Sequence, residues 1–165
     1  MAPPSTAFPP PTRARATEMV ESLIRQMHWA NAQVIAWLGG QAGDTAWITG
    51  QLSHILRAEA IWLERTHGRI HPERNTFTPY FQNQLPGLND ANRDGWLAQI
   101  RQGRLEREVD YHLFDGSPAR TSLQDIILHV STHGCHHRGE IATRISAMGL
   151  PQPPTAFITY TRLPK

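Results

Sequence analysis

Apolar side chains recur at helical spacing through the first part of the chain. Over residues 13–38 they lie three or four positions apart until two adjacent glycines end the pattern, which predicts a first helix. A second helix is predicted from Asp44, a good N-cap, to about His67, with Gly68 just beyond it. The predicted inward faces consist of Met19, Leu23, Met27, Ala30, Val34 and Leu38 in the first helix, and Trp47, His54, Ala58, Ile61 and Trp62 in the second.

The middle of the chain has a weaker pattern. Residues 69–88, rich in Pro, Asn and Gly, predict a long connection, and connections of that length often carry function. A third helix is expected over 89–107, although two glycines weaken it. The following segment, VDYHLFDGSP, alternates toward an Asp115-Gly116 turn and predicts a short hairpin.

The last predicted helix has the clearest boundaries. Thr121 and Gln124 suggest a capping box, and Gly149 and Pro151 follow the end of a helix over 122–148. Long helices with little strand between them predict an all-α, antiparallel helix bundle, a fold that builds metal and ligand sites in its interior. The expected organisation is a flexible, proline-rich leader over residues 1–12 and a single domain over 13–165.

Composition excludes several classes of protein. With 39% hydrophobic and 18% charged residues, and no apolar run near the ~18 residues of a membrane helix, we expect a protein with no membrane contact. No secretory signal is recognisable, so the cytoplasm is the default location. The net charge of +2 is spread among acidic residues, which gives little support for nucleic-acid binding. The single cysteine excludes an internal disulfide and a zinc-ribbon site.

The segment HVSTHGCHHRGEI, residues 129–141, holds four of the nine histidines. Because four residues turn a helix by 400°, His129, His133 and His137 lie along one ridge, and Glu140 extends it. The i, i+4 spacing of His133 and His137 is the one by which a helix presents two ring nitrogens to one zinc ion. Glycine follows His133 where a metalloprotease has its glutamate, which disfavours a protease.

A third ligand has to come from another helix, and His54 is the candidate because it lies on the apolar face of the second helix. The alternative is that His54 is a core histidine satisfied by a backbone carbonyl, and that the cluster is structural or solvated. His129 and His136 are expected to lie in a second shell or to pack. Cys135 is expected to be a small buried hydrophobe, and His67 and His71 to be surface residues.

Four segments carry a family resemblance. MHWANAQVIAWL, LSHILRAEAIWLERTHG, HVSTHGCHHRGEIATRISAMG and AFITYTR resemble, in order, the signature regions of the DinB family. Together they span about residues 20–165. The resemblance implies a four-helix bundle of the DinB/YfiT-like kind with an ordered C-terminal tail, and a divalent metal, commonly zinc or nickel, held by His54, His133 and His137.

The resemblance also implies an activity and partners. Relatives with assigned reactions are transferases and isomerases that use low-molecular-weight thiols such as bacillithiol or mycothiol, and many members are homodimers. The chain departs from the family at one position, because the usual HRGQ reads HRGE here and Glu140 replaces an amide. A role for Glu140 as a catalytic group, ligand or orienting residue stays open, as do pocket-lining roles for Trp29 and Asn31.

The chemistry expected of such a site follows from its charge. Three neutral imidazoles leave a divalent ion its full charge and an open position, and a thiol beside it loses its proton. The leading hypothesis is a metal-activated thiol that attacks a small electrophile. The alternatives are a bundle that binds metal or ligand without turnover, with Glu140 as a fourth ligand, and a histidine pH switch.

Overall fold

A computed structural model of the protein describes residues 12–70 and 75–164. It is mostly helical, with a small two-stranded sheet. The elements are α1 (Arg13–Gly39), α2 (Ala46–Thr66), a 3₁₀ turn (Gln82–Gln84), α3 (Leu85–Arg101), β1 (Glu108–His112), β2 (Pro118–Ser122), α4 (Leu123–Ala147) and α5 (Phe157–Tyr160).

The four long helices pack around a common core. Each of α1 and α2 packs against both α3 and α4. Two groups of buried apolar side chains fill the space between them, one toward the hairpin and one toward the opposite end. Each fully buried large apolar side chain contributes roughly 1.5–3 kcal/mol relative to exposure. Representative members are Ile24, Trp96, Ile100 and Ile127 in the first group, and Val34, Leu52, Ile55 and Ile145 in the second.

The third helix begins earlier and ends earlier than the sequence predicts. It runs over Leu85–Arg101 rather than 89–107. Pro86 occupies its first turn, where the missing N–H is not needed. Gly103, with a φ of 69°, marks the break after the helix. The connection before the helix is therefore shorter than expected, because it ends at the 3₁₀ turn.

The cap of α4 lies one residue beyond the predicted position. The Ser122 hydroxyl, rather than that of Thr121, accepts a hydrogen bond from the Asp125 amide at 3.2 Å. Thr121 instead belongs to β2, where its hydroxyl meets that of Tyr111. At the other end, Gly149 adopts a φ of 72° as the predicted terminator.

The predicted hairpin is present, so the purely all-α prediction is corrected. Strands β1 and β2 pair antiparallel with Val109 opposite Thr121, and Gly116 takes a φ of 87° in the turn. Val109 faces the core from this sheet, and β1 packs against α2. The two strands thus close one end of the helical core.

Two predicted core positions are wrong. Met19 is 61% exposed and Trp47 is 45% exposed, because the inward stripes of α1 and α2 begin further along each helix. Within the part of the chain that the structure describes, no helix has both the length and the apolar character needed to cross a membrane. The predicted leader lies outside the described residues except for Thr12, which caps α1.

Candidate metal centre

Three histidines from two helices meet near the middle of α2 and α4. The Nε2 atoms of His54 and His133 lie 3.1 Å apart. One ring nitrogen from each of His54, His133 and His137 lies within 4.8 Å of the others. Because α2 and α4 pack side by side, the ridge predicted on α4 faces the buried His54.

The orientation of the His54 ring is fixed from outside the cluster. Its Nδ1 lies 3.1 Å from the carbonyl oxygen of Thr76. A carbonyl only accepts, so Nδ1 carries the proton and the Nε2 lone pair points at the cluster. The backbone carbonyl thus sets the tautomer that a metal-binding imidazole requires.

The His137 ring is fixed in the same way by Glu140. Its Nδ1 donates to Glu140 Oε2 at 2.7 Å, which leaves Nε2 free. This hydrogen bond is the main reason that the pKa of Glu140 lies below its usual range, so the carboxylate stays ionised. A carboxylate in this position orients the imidazole and raises its basicity, as in carboxylate–histidine–zinc arrangements.

Burial and crowding favour the neutral form of two of the three histidines. Burial, followed by the neighbouring imidazoles, lowers the pKa of His133 to about 4. Burial also lowers the pKa of His54, against the opposing effect of its bond to Thr76. At neutral pH, His133 and His54 are therefore uncharged and their ring nitrogens are available as ligands.

The donor set fits a divalent ion. Two imidazole nitrogens bound to one zinc at about 2.05 Å in a tetrahedral site lie roughly 3.3 Å apart, close to the 3.1 Å between the Nε2 atoms of His54 and His133. Neutral imidazoles suit zinc and nickel. A second group, His136, His137 and Glu140, also places its ligand atoms within 4.8 Å, but it is more exposed.

The segment of residues 75–81 covers this part of α2. It is anchored at three points: His54 to the Thr76 carbonyl, Arg57 to the Thr78 carbonyl at 3.1 Å, and Ser53 Oγ to the Tyr80 amide at 3.0 Å. The Phe77 ring stacks on His54 at 4.2 Å and 6°. The segment therefore shields one side of the cluster.

The remaining candidates occupy different surroundings. His129 is exposed, with its ring 5.2 Å from Trp62 and 5.9 Å from that of His133. His136 is exposed, with Nε2 3.4 Å from Glu140 Oε1. Trp29 is half-buried and its ring lies 5.6 Å from Tyr160 of α5. The structure therefore brings His129 and His136 to the edge of the cluster.

The prediction for Cys135 is wrong. Its side chain is exposed rather than buried, because a position two residues from both His133 and His137 lies on the opposite side of α4. His67 is exposed as predicted and hydrogen-bonds with Gln99, while His71 lies outside the described residues.

A buried polar network escaped the sequence analysis. The fully buried Glu59 accepts from Asn31 Nδ2 at 3.3 Å and from Asn92 Nδ2 at 3.4 Å. His28 Nε2 lies 3.6 Å from the same carboxylate. Arg138 Nη1 donates to Asn31 Oδ1 at 2.8 Å. Asn31 is thus fully buried in this network and does not line an open pocket.

The network joins α1, α2, α3 and α4. Burial lowers the pKa of the Arg138 guanidinium, and the negative charge of Glu59 opposes that shift. Asn89 completes the network with hydrogen bonds to His28 and Asn31. One feature of the sequence could have indicated this network: polar residues occupy inward helical positions, such as Asn89 and Asn92, which are three residues apart.

Comparison with known proteins agrees with the sequence resemblance. The model of the family described as "DinB family" matches residues 41–164, which include α2 and α4, the helices of the three candidate ligands, and α5. A search of curated proteins finds no match. The matched region covers most of the chain.

Proposed function

Because this chain belongs to the DinB family, we propose that it is a metal-dependent transferase that uses a low-molecular-weight thiol, such as bacillithiol or mycothiol, on a small electrophile. His54, His133 and His137 would hold a divalent ion, zinc or nickel. The observation that supports this most directly is the convergence of the three rings, two of which have their outer nitrogens already hydrogen-bonded.

We propose that α1 to α4 form the antiparallel four-helix bundle of this family within one domain over 13–165, and that the protein acts as a cytoplasmic homodimer. Family membership and the packing of each of α1 and α2 against α3 and α4 support the bundle. The dimer rests on the family alone, and sedimentation velocity of the purified protein tests it.

The chain's own residues bring no negative charge to the ion, orient the His137 ring and shield one side of His54. The three imidazoles add no negative charge, so a bound divalent ion keeps its full charge and lowers the pKa of a thiol beside it. Glu140 is engaged with His137, which favours an orienting role over a role as fourth ligand or base. The 75–81 segment excludes water from one side of His54.

Metal content tests the assignment of the ligands. Wild-type protein is expected to carry about one zinc or nickel ion per chain by mass spectrometry of the metal, and His133→Ala is expected to lose it, because two imidazoles remain. His129→Ala is the matched control, since His129 lies on the same ridge but outside the ligand set. Unchanged metal content in folded His133→Ala would refute the site.

Turnover tests the reaction. The metal-loaded protein is expected to conjugate bacillithiol or mycothiol to a panel of electrophiles, including 1-chloro-2,4-dinitrobenzene, over many turnovers. The test uses Cys135→Ser, because the exposed thiol of Cys135 would itself react with the electrophile. Stoichiometric metal without turnover on any electrophile would contradict the transferase and support a bundle that binds without catalysis.

A further inference from the structure

A cavity lies apart from the histidine cluster, between the end of α2 and the β1–β2 hairpin. Its volume is about 230 Å³. For comparison, an engineered cavity of about 150 Å³ holds one benzene molecule, so this cavity has room for one ring with a short substituent. Its principal walls are Ile61, Arg65, Ile70, Tyr111, Leu113 and Phe114.

Arg65 brings a positive charge to this cavity. Its guanidinium carbon lies 4.4 Å from the ring centre of Trp62, 5.2 Å from that of Tyr111 and 5.1 Å from that of Phe114. Within residues 12–70 and 75–164, no carboxylate lies at ion-pairing distance from it. Arg65 is half-buried, and this burial, the largest influence, lowers the pKa of its guanidinium.

The other strong charges around the cavity are already paired. Arg69 donates to Glu64, with Nη2 3.0 Å from Oε1. Asp110 accepts from Arg120 Nε at 2.6 Å across the hairpin. Among the residues that the structure describes, the cavity therefore combines one guanidinium without an ion-pair partner with aromatic and aliphatic walls.

We propose that this cavity is a binding site for a small organic anion, a carboxylate on a flat apolar body. The planar guanidinium suits bidentate recognition of a carboxylate, and a partly desolvated site strengthens that interaction. The rings of Tyr111 and Phe114, together with Ile61, accept the apolar body. Trp62 separates the site from the histidine cluster, since its ring contacts both the Arg65 guanidinium and His129.

Phenylacetate and its neutral isostere phenylacetamide test the proposal by calorimetric titration of the purified protein. Phenylacetate is expected to bind saturably and about tenfold more tightly than the amide, the difference expected for one charge-assisted carboxylate contact. Arg65→Met, which keeps the length of the side chain over the aromatic rings, is expected to weaken phenylacetate binding by about tenfold or more, whereas Arg65→Lys retains part of it. Arg101→Met, at an exposed arginine of α3, is the control and leaves binding unchanged.

Further titrations distinguish binding in this cavity from binding at the histidine cluster and from unspecific anion binding. His133→Ala is expected to bind phenylacetate as the wild type does; binding lost there but kept in Arg65→Met would place the anion at the histidine cluster and overturn the proposal. Inorganic phosphate that binds as tightly as phenylacetate would also overturn it, because the apolar walls would then have no role. Circular dichroism and the melting temperature of Arg65→Met establish that it is folded, and unaltered binding in that folded variant contradicts the site.

Discussion

The carboxylate of Glu140 holds one ring of the histidine cluster in place. Its Oε2 accepts from His137 Nδ1 at 2.7 Å. A glutamine at this position can accept the same hydrogen bond through its amide oxygen, whereas an alanine cannot. The difference in metal affinity between the two variants therefore separates the contribution of ring orientation from the contribution of the negative charge.

We expect Glu140→Ala to lower metal affinity by about 10–100-fold and Glu140→Gln by less than about tenfold. Competition with a chromophoric chelator measures both constants, and Asp90→Ala, an exposed acid on α3, is the control. Equal losses in the two variants at position 140 would show that charge rather than ring orientation matters.

His133 makes the metal-free protein sensitive to acid. Its pKa is about 4 in the folded protein and about 6.5 in an unfolded chain. The unfolded state therefore binds more protons between these values, so the free energy of unfolding falls as pH drops from about 6.5 toward 4. After allowance for the solvent exposure of the ring, the loss is on the order of 1–2 kcal/mol.

Urea unfolding with a chelator present, at several pH values between 7 and 4, measures this loss. His133→Ala is expected to reduce the slope, because the residual dependence then comes from His54 and other groups. A variant with the same slope as the wild type would mean that the burial of His133 contributes nothing to acid sensitivity.

Single side chains differ in how well the sequence predicts them. The spacing of His133 and His137 follows from helix geometry alone, and an apolar helix face is sufficient to suggest His54. The groups that accept hydrogen bonds from the Nδ1 atoms of His137 and His54 are harder to predict. Glu140 lies three residues from His137, but Thr76 lies 22 residues from His54 and reaches it only through the fold.

Two glycines of α4 differ in what surrounds them. A Cβ added at Gly134 would lie 2.9 Å from Arg138 Nη1, a group held in the buried network. A Cβ at Gly139 meets nothing within 4 Å. Gly134 therefore makes room for the arginine that joins α4 to α1, while Gly139 only weakens the helix.

We expect Gly134→Ala to destabilise the protein by about 1–3 kcal/mol, because the guanidinium has to leave Asn31. Gly139→Ala is expected to stabilise it by about 0.5–1 kcal/mol through helix propensity. Chemical denaturation of the two variants measures both changes. A stabilising Gly134→Ala would show that Arg138 moves without loss.

Helices were predicted with uneven accuracy for identifiable reasons. The ends of α1 and α4 followed from the Gly39–Gly40 pair and from Gly149, which lie where the apolar helical pattern stops. The start of α3 was missed because Pro86 and Gly87 indicate a loop, although a proline in the first turn of a helix is favourable. The hairpin was predicted from its Asp115-Gly116 turn, while its place against α2 depends on tertiary packing.

The buried network concerns the entire protein, because it joins all four long helices: Glu59 of α2 accepts from α1 and α3, and Asn31 of α1 links it to Arg138 of α4. Glu59 is fully buried and its charge lies near that of the buried Arg138. Removal of one member of such a pair leaves the other charge desolvated without a partner, which costs about 3–5 kcal/mol. The sequence did not reveal this, since a glutamate in an amphipathic helix is ordinarily on its solvated face.

We expect Glu59→Ala to lower the free energy of unfolding by about 3–5 kcal/mol, and Glu59→Gln to lower it less because its amide oxygen still accepts one of the two hydrogen bonds that Asn31 and Asn92 donate. The exposed Glu18→Ala is expected to stay within about 0.5 kcal/mol of the wild type. Equilibrium denaturation checks the order of the three. A neutral Glu59→Ala would mean that the network adds no net stability.

The hydrogen bond from His54 to the carbonyl of Thr76 ties a ring of the cluster to the backbone of the 75–81 segment. Anything that holds the ring still also restrains that backbone, so occupancy of the cluster should slow deuterium uptake by amides such as that of Tyr80. Mass spectrometry of the corresponding peptide, with and without added zinc, would then report on events at the imidazoles from a part of the chain that supplies none of them.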